Sequence, residues 1–179
     1  HIDIRPEQME IIEADARGAK VAKEYKVWHT VCPITKKNYR RELGKRLRGG
    51  DFLLNLSVEV SSTDVIELCQ ELGVLYLDTV VEPWKGFYTD ASLTPSQRSN
   101  YALREELLKL VPKYTNGPTA VSCHGANPGL VSHFIKQALL NIAHDTKLKV
   151  TVPQDRDGWA RLAQHLGIKV THVAERDTQ

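Results

Sequence analysis

The sequence predicts an α/β fold, a doubly wound parallel sheet covered by helices, and three observations predict it. Short apolar runs alternate with stretches of helical spacing from Met9 to Ala174, the alternation that builds βαβ units. The run Phe52-Leu53-Leu54 is apolar without a break, as suits a strand buried on both faces. Polar residues also stand at the ends of four expected strands: Asn55 and Glu59, Glu82, Asn127, and Glu175. Ligands of open α/β sheets bind outside the carboxyl ends of the strands, so this recurrence points to a shared pocket.

Taken in order, Met9 to Ala14 reads as a strand, Arg17 to Tyr25 as a helix and Val27 to Cys32 as a strand. Thr35 is expected to cap a helix running to about Arg48. Its basic residues, Lys36 to Arg48, form a solvated face with Tyr39 as the one aromatic among them, which argues against a nucleic-acid surface. Gly49-Gly50-Asp51 turns the chain into a strand from Phe52 to Val60. Ser61-Ser62 caps a helix to Glu71, and Gly73 ends it. Val74 to Val81 is the next strand. Pro83 cannot donate to a ladder and holds Glu82 extended, which puts Glu82 at the strand's carboxyl end. Thr94-Pro95 opens a helix to about Lys109, and Gly117-Pro118 closes that section. Thr119 to His124 is a strand. Asn127 as N-cap, with Pro128 in the first turn, starts a helix to about Ala143. Asp155 to Leu166 reads as a helix and Ile168 to Ala174 as a final strand.

Composition narrows the function classes. The 179 residues are 41% hydrophobic and 26% charged with a net charge of +2, enough for one or two compact units with a real core. The three cysteines are odd in number and contain no CxxC, so a reducing cytoplasm is the default. Cys69 falls on an apolar helix face and reads as a core thiol. No apolar run approaches the roughly twenty residues that span a bilayer, and no signal peptide opens the chain. His1-Ile2-Asp3-Ile4-Arg5-Pro6, without a start methionine, reads like the interior of a longer protein. The seven histidines show no zinc-ligand spacing. GxSxG, P-loop and GxGxxG motifs are absent.

Several residues have a chemical reading beside a plainer one. Glu82 two residues before Trp84 offers a carboxylate and a π-face, a pair suited to an ammonium ligand; the alternative is a Glu82–Lys85 ion pair and loop packing by Trp84. Glu175 is followed by Arg176-Asp177, so a surface salt bridge is its alternative. Ser57 and Glu59 share a sheet face if that strand continues so far. Asn127 serves as a helix N-cap, and the turn around it as a nest for a ligand; His124 lies in the same turn. Glu13, or less favourably Asp15, stands at the end of the first visible strand. In dinucleotide-binding sheets an acid at the end of the second strand holds the ribose hydroxyls.

Four segments then carry a resemblance: Phe52-Leu53-Leu54-Asn55-Leu56-Ser57-Val58, Thr79-Val80-Val81-Glu82-Pro83-Trp84, Asn100-Tyr101-Ala102-Leu103-Arg104-Glu105, and His124-Gly125-Ala126-Asn127-Pro128-Gly129-Leu130-Val131-Ser132. The closing His172-Val173-Ala174-Glu175-Arg176-Asp177-Thr178-Gln179 agrees as well. Together they resemble the bacterial homospermidine synthases of the saccharopine-dehydrogenase-like superfamily. The resemblance implies an internal fragment. Residues 1–118 would be a partial Rossmann NAD-binding domain whose first strand and Gly-rich turn precede His1, and residues 119–179 the beginning of an α/β substrate domain. It implies a cytoplasmic, NAD-dependent aminobutyl transferase, homodimeric at full length and without nucleic-acid or membrane partners. Two putrescines become homospermidine and ammonia through oxidation to an imine, transimination and reduction. Site residues implied by the match are Glu82, Glu175 and Asn127 for catalysis, Glu59 and Trp84 for the polyamine, and Glu13, Asn55, Leu56, Ser57 and Thr79 for NAD. His124 departs from the pattern of some relatives. A saccharopine-type amino-acid dehydrogenase is the alternative, but it needs Arg or Lys for a substrate carboxylate where these strand ends carry Glu and Asn. In the order 3-2-1-4-5-6 the missing first strand is central, so the 179-residue chain alone is expected to fold poorly and to be inactive.

Overall fold

The structure, a computed structural model, describes residues 4–176. His1-Ile2-Asp3 and the Asp177-Thr178-Gln179 end of the last resemblance segment lie outside the described residues. The chain divides into two compact units. One holds the residues up to Leu77 together with Val81–Ala120, the other Asp78–Val80 and the residues from Val121 on.

The first unit begins with β1 (Glu10–Glu13), α1 (Ala19–Glu24) and β2 (Trp28–Val31). β1 and β2 are parallel, with Glu10 opposite Trp28 and Glu13 opposite Val31; α1 supplies the crossover that a parallel pair requires. α2 (Tyr39–Gly44), β3 (Phe52–Asn55), α3 (Ser62–Leu72), β4 (Leu75–Asp78), α4 (Asn100–Leu108) and β5 (Ala120–Val121) follow. The second sheet has the order β3-β4-β5. Among the described residues no ladder joins it to β1-β2. The two orders are those found on either side of the central strand of a doubly wound sheet, so the α/β expectation holds in its incomplete form. The second unit carries α5 (Leu130–Asp145) and α6 (Arg156–His165), with Lys136 Nζ 5.5 Å from the centre of the Trp159 ring.

α3 organises the core of the first unit. Val65, Ile66, Leu68 and Cys69 fall at helical spacing on one face and are buried against Tyr39 and Leu43 of α2, Val74, and Tyr76 of β4. Both helix ends are as the sequence predicts. Ser61 Oγ accepts the Asp64 N–H at 3.2 Å. Gly73 takes the left-handed conformation at φ +74, and the Val74 N–H returns to the Cys69 carbonyl at 2.8 Å.

Elsewhere side chains end elements earlier than expected. β3 stops at Asn55 rather than Val60, because Asn55 Oδ1 accepts the Ser57 N–H at 3.2 Å and turns the chain; Glu59 then sits at φ +62. Ser57 and Glu59 therefore share no sheet face. β4 ends at Asp78, not Val81, which leaves Glu82 four residues past the strand. α2 is shorter than the expected helix from Thr35 to Arg48. Asn38 Oδ1 accepts the Thr35 N–H at 2.7 Å, forming a separate turn before Tyr39. The helix expected from Thr94 is broken at Ser99, which is extended (φ −92, ψ 159) and caps α4 by accepting the Ala102 N–H. The strand expected over Thr119 to His124 shrinks to Ala120–Val121. Residues 168–174 form no strand, since no strand among the described residues offers them a ladder. No helix of the described residues is long and apolar enough to cross a membrane.

Two outcomes follow from α3. Ser61→Ala should lower stability by about 1 kcal/mol in urea denaturation, the usual cost of a lost N-cap. Burial pushes the Cys69 thiol up to about 12, so at pH 8 it stays a neutral thiol. Peptide mapping after iodoacetamide should find Cys69 unmodified in the native protein and modified after unfolding; alkylation in the native state would contradict this burial.

Candidate functional site

The carboxyl end of β1 presents Glu13. Its Oε2 accepts the Gly18 N–H at 3.1 Å and lies 2.6 Å from His29 Nε2. Gly18 is the residue before α1, and His29 comes from β2, opposite Ile11. A Cβ on Gly18 would fall 2.2 Å from that same Oε2, so the carboxylate fills the space a side chain would need. Glu13 Oε1 takes no hydrogen bond among the described residues. The neighbouring Asp15 is committed elsewhere. Arg17 meets it at 2.9 Å, and that side-chain bond, followed by the Arg17 N–H, holds the Asp15 carboxyl below the usual carboxylate range. Between the two acids, only Glu13 keeps an oxygen available.

The loop after β3 is tied to the core. Asn55 Nδ2 donates to the hydroxyl of buried Tyr76 at 3.0 Å, while Asn55 Oδ1 accepts from the N–H and the hydroxyl of Ser57. Leu56 is exposed. Further on, Glu82 and Glu59 meet: the Glu59 N–H donates to Glu82 Oε2 at 3.3 Å. The first turn of α3 grips the Glu82 backbone from both directions. The Glu82 N–H donates to Ser62 Oγ at 3.0 Å, and the Ser62 N–H donates to the Glu82 carbonyl at 2.8 Å. Lys85 Nζ lies 3.7 Å from Glu59 Oε2, so the ion pair of this loop is made with Glu59 and not with Glu82. Burial, and then the charge of Glu82, raises the phenol of Tyr88 above its ordinary value. The Trp84 indole N–H donates to Asp64 Oδ2 at 2.5 Å and its ring lies 5.3 Å from that of Tyr39, so the packing alternative describes this indole.

In the second unit the buried Asp78 accepts the Cys123 N–H at 2.7 Å and the Ser122 hydroxyl at 2.8 Å, and its carbonyl accepts the His124 N–H at 3.0 Å. Thr79 packs on Gly125, where a Cβ would come within 2.9 Å of the Thr79 Cβ. Residues 125–129 close into a loop through a 2.9 Å bond from the Gly125 N–H to the Pro128 carbonyl. Gly129 sits at φ +125 with its missing Cβ 2.3 Å from the Gly125 carbonyl oxygen, a position only glycine can fill. α5 starts after this loop, at Leu130. Asn127 is therefore not its N-cap, contrary to the sequence expectation; it lies in the closed loop, exposed. The ring of His124 meets that of His133 edge-on at 5.4 Å. Glu175 is exposed and ends no strand.

Two residues that sequence reasoning did not single out fix these groups, each within its own unit: Asp78 holds the turn at Ser122 to His124, and His29 meets the Glu13 carboxylate. Asp78 closes an apolar strand, the same signal that marks Glu82 in the sequence. His29 carries no motif; only the β1–β2 pairing brings it to Glu13.

The family described as saccharopine dehydrogenase NADP binding domain matches residues 1–121. A homospermidine synthase of Blastochloris viridis is 47% identical over 182 residues, covering 100% of this chain and 38% of its own length. One of Mesorhizobium japonicum is 44% identical with the same coverage of 100% and 38%. The crystal structure of the homospermidine synthase from Legionella pneumophila in complex with NAD superposes with a TM-score of 0.82 at 45% identity, over 94% of this chain and 34% of that one. The chain spans 38% of the length of these curated relatives. Its β1-β2 and β3-β4-β5 orders and this family match lead to one conclusion: the chain belongs to the saccharopine dehydrogenase NADP-binding-domain family.

Proposed function

We propose that this chain contributes the ribose-binding strand end and part of the amine site of an NAD-dependent homospermidine synthase, which joins two putrescines with release of ammonia. The observation that carries the reading is Glu13, an acid fixed at the carboxyl end of a parallel strand with one oxygen unused. That oxygen suits a ribose hydroxyl and repels a 2′-phosphate, which favours NAD over NADP. The turn formed by Asn55, Leu56 and Ser57 follows the next sheet's first strand, and with Thr79 it is proposed to border the cofactor. Bound nicotinamide supplies the reversible redox chemistry that turns an amine into an imine and back, with no net redox change.

The chain's own residues have to deal with a diamine dication. Removing an ammonium from water is costly unless a carboxylate receives it. Glu59 already faces a primary ammonium, that of the exposed Lys85, the same chemical group as either end of putrescine. Glu82 stands beside it with its backbone clamped, so its carboxylate can bind the reacting amine and take the proton that must leave before oxidation. For Trp84 the proposal is a supporting role through Asp64 and Tyr39. Asn127 and Glu175 are assigned to the amine on the strength of the homospermidine-synthase resemblance.

The test uses the full-length protein. Glu82→Gln should slow conversion of putrescine by about a hundredfold or more, the scale of a lost acid–base group, while the NAD dissociation constant by calorimetry stays as in the parent. Glu13→Gln should do the reverse, weakening NAD by about tenfold, the scale of one hydrogen bond to a charged group, and narrowing the preference over NADP. Full putrescine turnover in Glu82→Gln, or unchanged NAD affinity in Glu13→Gln, would refute the respective role.

A further inference from the structure

We infer that His29, with Gly18, is the seat that sets the Glu13 carboxylate, making His29 a positioning residue for ribose recognition; this rests on the proposed role of Glu13.

Three observations carry it. A carboxylate can only accept, so at 2.6 Å the proton of the contact belongs to His29 Nε2. The His29 side chain is 12% exposed and that of Glu13 37%, so the imidazole lies behind the acid and not in competition with a ligand for it. Both the Gly18 N–H and His29 Nε2 converge on Oε2, and no side chain at 18 can share that space. A glutamate on a strand end otherwise samples several rotamers, and holding one of them in advance is what a second hydrogen-bonded group contributes to a binding site. With Oε2 anchored by two donors, Oε1 is left as the acceptor for the ribose.

Gly18 makes the seat testable without disturbing the backbone. Its φ of −80 is one that alanine adopts freely. The three atoms nearest the added methyl all belong to the Glu13 carboxyl group, at 2.2 to 2.7 Å, so Gly18→Ala displaces that group first.

The experiment measures NAD and its 2′-deoxyadenosine analogue binding to the full-length protein by calorimetry, with thermal melts alongside. His29→Phe and Gly18→Ala should each weaken NAD by about five- to tenfold, the scale of a charge-assisted hydrogen bond. Neither should weaken the deoxy analogue further. His29→Gln, which keeps an amide donor near the Nε2 position, should recover most of the loss, and in a Glu13→Gln background His29→Phe should add nothing. If His29→Phe fails to fold, Gly18→Ala and His29→Gln still decide. Wild-type NAD affinity in His29→Phe and Gly18→Ala, with Glu13→Gln impaired, would overturn the seat and leave the role of Glu13 standing. Unchanged affinity in Glu13→Gln would overturn that role and the seat with it. Equal losses for NAD and the deoxy analogue would mean that His29 only supports the fold, which also overturns the inference.

Discussion

The first turn of α3 is the constraint on which the positions of Glu82, Trp84 and Asn55 depend. Its apolar face is buried against Val74 and Tyr76, and each such side chain removed from water contributes on the order of 2 kcal/mol. That burial fixes where the N-terminal turn sits, and the turn then uses its polar groups on the loop that follows β4. Ser62 holds the Glu82 backbone, and Asp64 receives the Trp84 indole. The same core holds Tyr76, whose hydroxyl receives Asn55 from the neighbouring strand end. Hydrophobic packing and the polar strand ends are thus one system. A change that loosened α3 would move Glu82 and Asn55 together.

A second constraint is the division of the strands into two ladders. β1 and β3 each have one strand neighbour in their own sheet and none on the other edge among the described residues. Ile11, Phe52 and Leu54 on these strands are exposed. An edge with unpaired backbone groups and apolar side chains favours pairing with a further strand, and a doubly wound order places one there. Glu13 and Asn55 sit at the carboxyl ends of the two strands that would flank it. This is the place where such sheets hold a dinucleotide.

Much of this was legible in the sequence wherever the cause is local. Ser61 and Gly73 mark the ends of α3 because capping geometry needs only neighbouring residues. The alternation of strand and helix likewise gave the fold class. What was not legible depends on partners distant in the chain, or on a side chain that competes with the ladder. Asn55 ends β3 by turning back on Ser57, so the apolar pattern out to Val60 overstated the strand. Asn127 followed by proline has the pattern of a helix start, yet the closure of residues 125–129 delays the helix to Leu130. Residues 168–174 have the apolar composition of a strand without a ladder to join. Among the candidate residues, strand-end reasoning finds Glu13 at the end of β1, whereas Glu82 lies four residues beyond the end of β4 and His29 requires the register of β1 on β2. Asp78 obeyed the rule that selected Glu82 but was read as part of the strand interior.

The central claim is that an acid seated at a strand end receives the cofactor's ribose, and the most direct measurement is a crystal structure of the full-length protein with NAD bound. The account predicts an adenosine ribose hydroxyl within hydrogen-bond distance of Glu13 Oε1, with Oε2 still on the Gly18 N–H and His29. A ribose bound away from β1, or Glu13 turned from its seat to reach it, would contradict the account.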